Sequence, residues 1–291
     1  MVRKKGFSLL TVLNWLLLFG AGLITFYPFW YIVCYSLSTY SEVIGKGAIL
    51  LPQGFTFSGI QAVLNDRYVT TAYGNTLFLV VVGTTLSVTV NALLAYPLSV
   101  NVPGHRVFNF LIYFTMLFGG GMIPTYYIVR STGLMNTLWS LIIPSLLTPF
   151  NVFIMRNFFR GIPDSLVESA SIDGCGQMRA FLSIVLPLSK PILATVTLYY
   201  AVGYWNSFFN ALIYIRKADL RPLQLILREM INQGMTDTAG MGSSLDAGYG
   251  DIGNQTIKMA LVTISVVPIM CIYPFLQKHF THGTLTGAVK S

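Results

Sequence analysis

Charge is the scarcest property of this 291-residue sequence, with Asp, Glu, Lys and Arg together supplying only 10% of it. Soluble globular chains carry about 25%, so too little charge is present to cover a water-facing surface. That excludes an ordinary soluble domain and makes lipid the implied solvent. Charge is missing altogether from Lys5 to Glu42, Arg67 to Arg106, Arg106 to Arg130, Arg130 to Arg156, Lys190 to Arg216 and Lys258 to Lys278. Catalytic patterns are missing as well. The three cysteines, Cys34, Cys175 and Cys271, form no CxxC or Cys/His spacing, which argues against a metal site or disulfide framework. His105, His279 and His282 are placed at the ends of spans, so none can serve a nucleophile inside the membrane. No HExxH and no GxxxxGK[ST] occurs, so the chain has no means of its own to hydrolyse ATP.

What is abundant is apolar surface, at 54% of residues. A bilayer core needs about 20 mostly apolar residues per helical crossing, and each charge-free gap holds one. Because hydrocarbon satisfies no free backbone group, the crossings are expected to be helices. The fold class is therefore an all-α membrane protein with six transmembrane helices in a single domain over 1–291. The spans are expected at about 9–37, 71–100, 107–130, 138–158, 189–215 and 257–277. Arg3, Lys4 and Lys5 precede the first apolar run as in a secretory signal, but the run continues to about Leu37 without a cleavage pattern. It reads as a retained first helix. Gly119-Gly120-Gly121 and Pro124 interrupt the third span, consistent with a bent helix lining a cavity or with a plain packing kink.

The net charge of +8 does not point to nucleic acid. With the N-terminus inside, Arg3, Lys4, Lys5, Arg106, Arg156, Arg160, Arg179, Lys190, Lys278 and Lys290 fall on the cytosolic side, close to helix ends. Only Asp164, Glu168 and Asp173 offset them there, the bias that orients a multi-pass protein.

One inner segment, 159–188, is long for a connection. Pro163 suits a first helical turn, Ser165 with Glu168 fits a capping box, and Gly174 is a helix stop. These predict a short surface helix at about 163–173, then a break and a second helical piece ending at Pro187. A short helix held on the cytosolic face between two spans is shaped to push against a soluble partner. A surface helix lying on the membrane is the plain alternative.

Glu168, Ala170, Gly174, Ile184, Leu186 and Pro187 stand at the spacing of the EAA loop that this segment resembles, that of importer permeases of the ATP-binding-cassette class. Ser169 departs from the pattern's first alanine, a small-for-small change. The resemblance implies the MetI-like permease fold and a coupling helix at 163–175 that docks on an ATPase subunit, with Glu168, Ser169, Ala170, Asp173, Gly174, Leu186 and Pro187 as the coupling residues. It also implies partners: a second permease subunit, two ATPase subunits that hydrolyse the ATP, and an extracellular solute-binding protein. The implied place is a bacterial cytoplasmic membrane, with both termini cytosolic and no cofactor. The tail Gly283-Thr-Leu-Thr-Gly287-Ala-Val-Lys290 and Tyr204-Trp205-Asn206 are similar to carbohydrate-importer permeases, the MalG-like group. Gly119-Gly-Gly-Met-Ile-Pro124-Thr-Tyr126-Tyr is similar to the LplC-like branch, serving larger or modified saccharides. A non-sugar cargo, or an ATP-independent secondary transporter, remains the alternative.

Tyr204, Trp205, Asn206 and Asn210 are polar or aromatic groups well inside the fifth span, and Tyr126 lies in the third. Intramembrane polar groups face the bundle interior, and amides with aromatic faces suit sugar rings. The same groups also serve as interhelical hydrogen-bond glue or, for Tyr126, as an interfacial belt. Gly248-Tyr-Gly250-Asp-Ile-Gly253 matches GxGxxG by letter, but it sits in an outer loop rather than after a strand. It is read as a decoy.

Overall fold

The computed structural model describes residues 9–100, 102–236 and 253–287, and no strand occurs among the described residues. Arg3, Lys4, Lys5, Asn101, Asp237, Asp246, Asp251, Lys290 and most of the Gly248–Gly253 stretch lie outside them. Three helices are long and apolar enough to cross a bilayer: Thr11–Ser36 within α1 (Leu9–Ser36), α3 (Arg67–Ser99), and Asn254–Cys271 within α13 (Asn254–Gly287). Helix α2 (Ser58–Asn65) lies between α1 and α3 in the chain. Three bent pairs raise the number of crossings to as many as six, if each pair is one span. These are α4 (His105–Leu117) with α5 (Met122–Ser131), α6 (Trp139–Ser145) with α7 (Pro149–Arg160), and α9 (Gln177–Leu188) with α10 (Lys190–Trp205). Helix α8 (Asp164–Ile172) stands between α7 and α9, and α11 (Phe209–Tyr214) and α12 (Leu223–Thr236) follow α10.

The breaks are sharper than the apolar pattern alone suggests. α4 and α5 meet at 114° across Phe118 and the three glycines. Gly121 takes φ +84°, a conformation closed to most side chains. The pairs α6/α7 and α9/α10 bend by 51° and 82°. The fifth span, expected to run to 215, stops at Trp205. Asn206 caps it, and its Nδ2 donates to the Val202 carbonyl at 3.0 Å. Asn side chains compete with the helix for its own backbone groups, and Asn206 does so here.

Two compact units divide the chain, one of residues up to 67 with 229–267, the other of 68–228 with residues from 268. In the first, Cys34, Tyr35, Val43 and Ile49 form a small buried cluster. Trp30 Nε1 donates to the Leu50 carbonyl at 2.8 Å, and Ser38 Oγ accepts from the Gln53 N–H at 3.0 Å. Both bonds bind the segment after α1 back to its end. Most of α1 is exposed, with Trp15, Leu16, Leu18 and Phe19 each more than 60% accessible, as a lipid-facing helix requires.

In the second unit α3 packs along α7 and α10. Ala92 and Ala95 are buried on α3, where small side chains allow close backbone approach. Leu79, Ile142, Met155, Val196 and Ala211 fill the core. Asn75 Nδ2 donates to the Asp219 carbonyl at 2.7 Å, and Asn136 Oδ1 accepts from the Arg216 N–H at 2.6 Å. These two asparagines tie the segment after α11 to the rest of the unit.

Candidate functional site

The loop singled out in the sequence is a helix with a defined start and stop. Pro163, at φ −58° and ψ 127°, is the residue before α8, and the Leu166 N–H reaches its carbonyl at 3.1 Å. The Ser165–Glu168 capping box does not form. Ser165 already lies inside the first turn, and no side chain caps α8. Proline fixes the entry two residues earlier than a serine cap requires, and Asp164 in the first turn complements the helix dipole instead.

The other end closes as expected at Gly174. Its φ is +78°, its N–H donates to the Ser171 carbonyl at 3.1 Å, and the Cys175 N–H donates to the Ala170 carbonyl at 2.9 Å. That pair of bonds is the Schellman arrangement, which needs a left-handed residue at the turn.

One face of α8 is anchored and the other is free. Val167 on the helix and Ile162 just before it pack against the main core, whereas Glu168 and Ser169, and Asp173 just after it, are exposed. Leu166 and Ile172 are exposed too, Ile172 to 87%. Sequence reasoning missed these two as surface groups, although an apolar pair amid Asp, Ser and Glu is the signal that marks them.

Behind α8 the chain is locked to two spans. Phe181 opens a five-residue π turn, Phe181–Val185, the kind of helix defect that concentrates at functional sites. Its ring stacks on Tyr96 of α3 at 4.8 Å between centroids and meets Phe159 of α7 edge-on at 6.3 Å. The Tyr96 hydroxyl donates to Gln177 Oε1 at 3.2 Å. Leu186 is half-buried against the core and Pro187 is exposed. The segment that follows α8 is thus packed directly against α3 and α7. No motif in the sequence pointed to Tyr96, Phe159 or Gln177.

The second feature is a cavity of about 530 Å³ in the same unit, within the range of about 300–1,000 Å³ usual for ligand sites. Tyr204, Asn206 and Asn210 line it. Trp205 does not; it is buried with its ring edge-on to Tyr73 at 5.9 Å. Tyr126 packs against the core beside Tyr127, away from the cavity wall. Ser145, Thr148, Asn151, Tyr199 and Tyr200 line the cavity and were not foreseen.

The bend between α6 and α7 shapes this wall. Such a bend frees backbone groups that lipid cannot satisfy. The Tyr200 hydroxyl accepts from the Thr148 N–H at 3.0 Å and donates to the Leu146 carbonyl at 3.1 Å. Asn91 of α3, wholly buried, brings its Nδ2 to 2.7 Å from the Leu146 carbonyl and 2.8 Å from the Tyr200 hydroxyl. Among the described residues no cluster of three His, Cys, Asp or Glu could hold a metal ion.

Comparison with known proteins gives this geometry its context. The chain is 42% identical to Protein LplC of Bacillus subtilis (strain 168), over 100% of this chain and 98% of that one. It is 39% identical to the polygalacturonan/rhamnogalacturonan transport system permease protein YtcP of the same organism, over 99% and 100%. Among solved structures, a chain of a bacterial ABC transporter involved in the import of the acidic polysaccharide alginate superposes with a TM-score of 0.88 at 33% identity, covering 95% of this chain and 99% of that one. The family model for the binding-protein-dependent transport system inner membrane component matches residues 69–286. With the six apolar segments, the capped loop helix and these matches together, the chain belongs to the family of inner membrane permease components of binding-protein-dependent transport systems.

Proposed function

We propose that this chain is one transmembrane half of an ATP-driven importer whose cargo is a carbohydrate, an oligo- or polysaccharide fragment. The observation that carries the motor connection is α8: a short helix with an anchored inner face, an exposed outer face and a glycine-closed end. In this reading α8 docks on an ATPase subunit. Glu168, Ser169, Ala170 and Asp173 form the contact, Gly174 permits the turn, and Leu186 with Pro187 seats the segment behind it. Two ATPase subunits hydrolyse the ATP, a second permease subunit completes the pathway as a heterodimer, and a solute-binding protein delivers the cargo from outside. The chain works as one permease domain with both termini cytosolic, in a lipid bilayer and without nucleic acid. ATPase closure moves α8, the push passes through Phe181 to Tyr96 and Phe159, and the helix bundles rock between outward and inward access.

The carbohydrate assignment is supported by the relative named for polygalacturonan/rhamnogalacturonan transport and by the solved transporter involved in alginate import. Of the five residues singled out for the path, Tyr204, Asn206 and Asn210 are the ones the cavity supports. The direct test is Glu168→Lys in the intact importer. Saccharide uptake and transport-coupled ATP hydrolysis are expected to fall while membrane insertion stays normal; unchanged uptake removes Glu168 from the coupling role.

A further inference from the structure

The cavity wall is more specific than import of a carbohydrate requires. None of the described residues lining it carries a full charge. Its polar groups are hydroxyls and amides, those of Ser145, Thr148, Asn151, Asn206, Ser207 and Asn210 beside the tyrosines. Among them Asn151 stands out. It is 5% exposed, lines the cavity, and its side-chain amide has no hydrogen-bond partner among the described residues. With no protein partner and a place in the lining, the amide opens onto the cavity, where an entering group can pair with it.

An amide both donates and accepts, as a sugar hydroxyl does. A carboxylate only accepts: it can take the Asn151 N–H, but it leaves the amide oxygen unmatched and finds no cation in the wall to balance it. Bringing an anion out of water without a counter-charge is strongly disfavoured. Arg228 is close, but its guanidinium lies 4.7 Å from the Phe208 ring centroid and is not part of the lining. Aromatic faces complete the wall. Phe150 and Tyr199 are tilted 38° to each other at 6.4 Å, and Phe208 meets Phe209 edge-on at 6.3 Å. Rings of this kind accept the C–H faces of a pyranose while amides and hydroxyls take its rim.

We infer that this cavity is a subsite for an uncharged hexopyranosyl ring, with Asn151 as its specificity-determining hydrogen-bonding residue. The inference rests on the carbohydrate-import reading and adds the charge class of the cargo at this subunit. It sets the chain apart from its solved neighbour, which belongs to a transporter for an acidic polysaccharide.

The test uses cells carrying the complete importer, with this chain deleted or replaced in place by variants. Uptake is measured for labelled neutral oligosaccharides of glucose, mannose and galactose, and for oligogalacturonates and oligomannuronates. The amount of assembled complex is quantified in parallel. Neutral uptake is expected to require the chain and to fall about tenfold or more in Asn151→Ala and Asn151→Asp, the size of one or two lost hydrogen bonds, with the complex at its normal level. If the Asn151 variants reduce the complex, Asn210→Ala carries the test, and full neutral uptake there overturns the subsite. Neutral uptake unaffected by Asn151→Ala in a normally assembled complex overturns it as well. Dependence confined to the acidic oligosaccharides overturns the charge class while leaving carbohydrate import standing. If neither class depends on the chain, the import reading itself fails and takes the subsite with it.

Discussion

The Nδ2 of Asn91 lies 2.8 Å from the hydroxyl of Tyr200, and the two side chains take up backbone groups freed where α6 gives way to α7. One residue comes from α3 and the other from α10, so the bend that shapes the cavity is held from two neighbouring helices. Asn91→Ala removes the donor and leaves the Leu146 carbonyl and the Tyr200 hydroxyl short of it. Loss of a buried partner costs about 1–3 kcal/mol, so the purified complex is expected to melt several degrees lower. Tyr200→Phe is expected to do the same, and the double variant to cost less than the sum because both act on one network.

Gly83 and Tyr204 form a second close pair. A Cβ at Gly83 would stand 2.8 Å from ring atoms of Tyr204, whose hydroxyl is 2.9 Å from that of Ser87. Gly83→Ala therefore forces the ring away, and overpacking of this kind costs about 1–3 kcal/mol. Tyr204→Phe keeps the ring and loses only the hydroxyl contact, worth about 0.6 kcal/mol between membrane helices. A double-mutant cycle with Tyr204→Ala checks the relationship: in that background Gly83→Ala is expected to be nearly neutral. An undiminished cost there would show that the glycine serves something else.

Gly174→Ala probes the closed end of α8. The left-handed conformation costs a residue with a Cβ about 1–2 kcal/mol, so the Schellman bonds from Gly174 and Cys175 are expected to open more often. Hydrogen exchange at the Cys175 amide should speed up, and transport-coupled ATP hydrolysis should fall with it. Gly174→Asn, which tolerates this conformation better, is expected to lie between the two.

Much of this architecture is written in residue spacing, and the exceptions have physical reasons. Charge-free intervals such as Lys5 to Glu42 mark spans because a lipid-facing helix can carry little else. Gly174 was legible as a stop because few residues accept its backbone angle. The Ser165–Glu168 box was misleading: its letters are right, but Pro163 sets the start of α8 upstream of them. The 51° bend between α6 and α7 left no equivalent trace, since a break inside an apolar run depends on which neighbour satisfies the freed backbone. Asn91 and Asn151 were invisible for a related reason. A lone amide in a hydrophobic stretch does not declare which helix it faces, and it took the packing of α3, α7 and α10 to show that one braces a bend and the other lines a cavity.

Contact between α8 and an ATPase subunit can be read at the helix's most exposed apolar residue. A photo-reactive amino acid placed at position 172, where Ile172 is 87% accessible, reports whatever covers that face in the assembled importer. The expected result is a cross-linked product containing this chain and an ATPase subunit, with a yield that changes when ATP is added. Products with lipid alone, from a chain correctly inserted in the membrane, would contradict it.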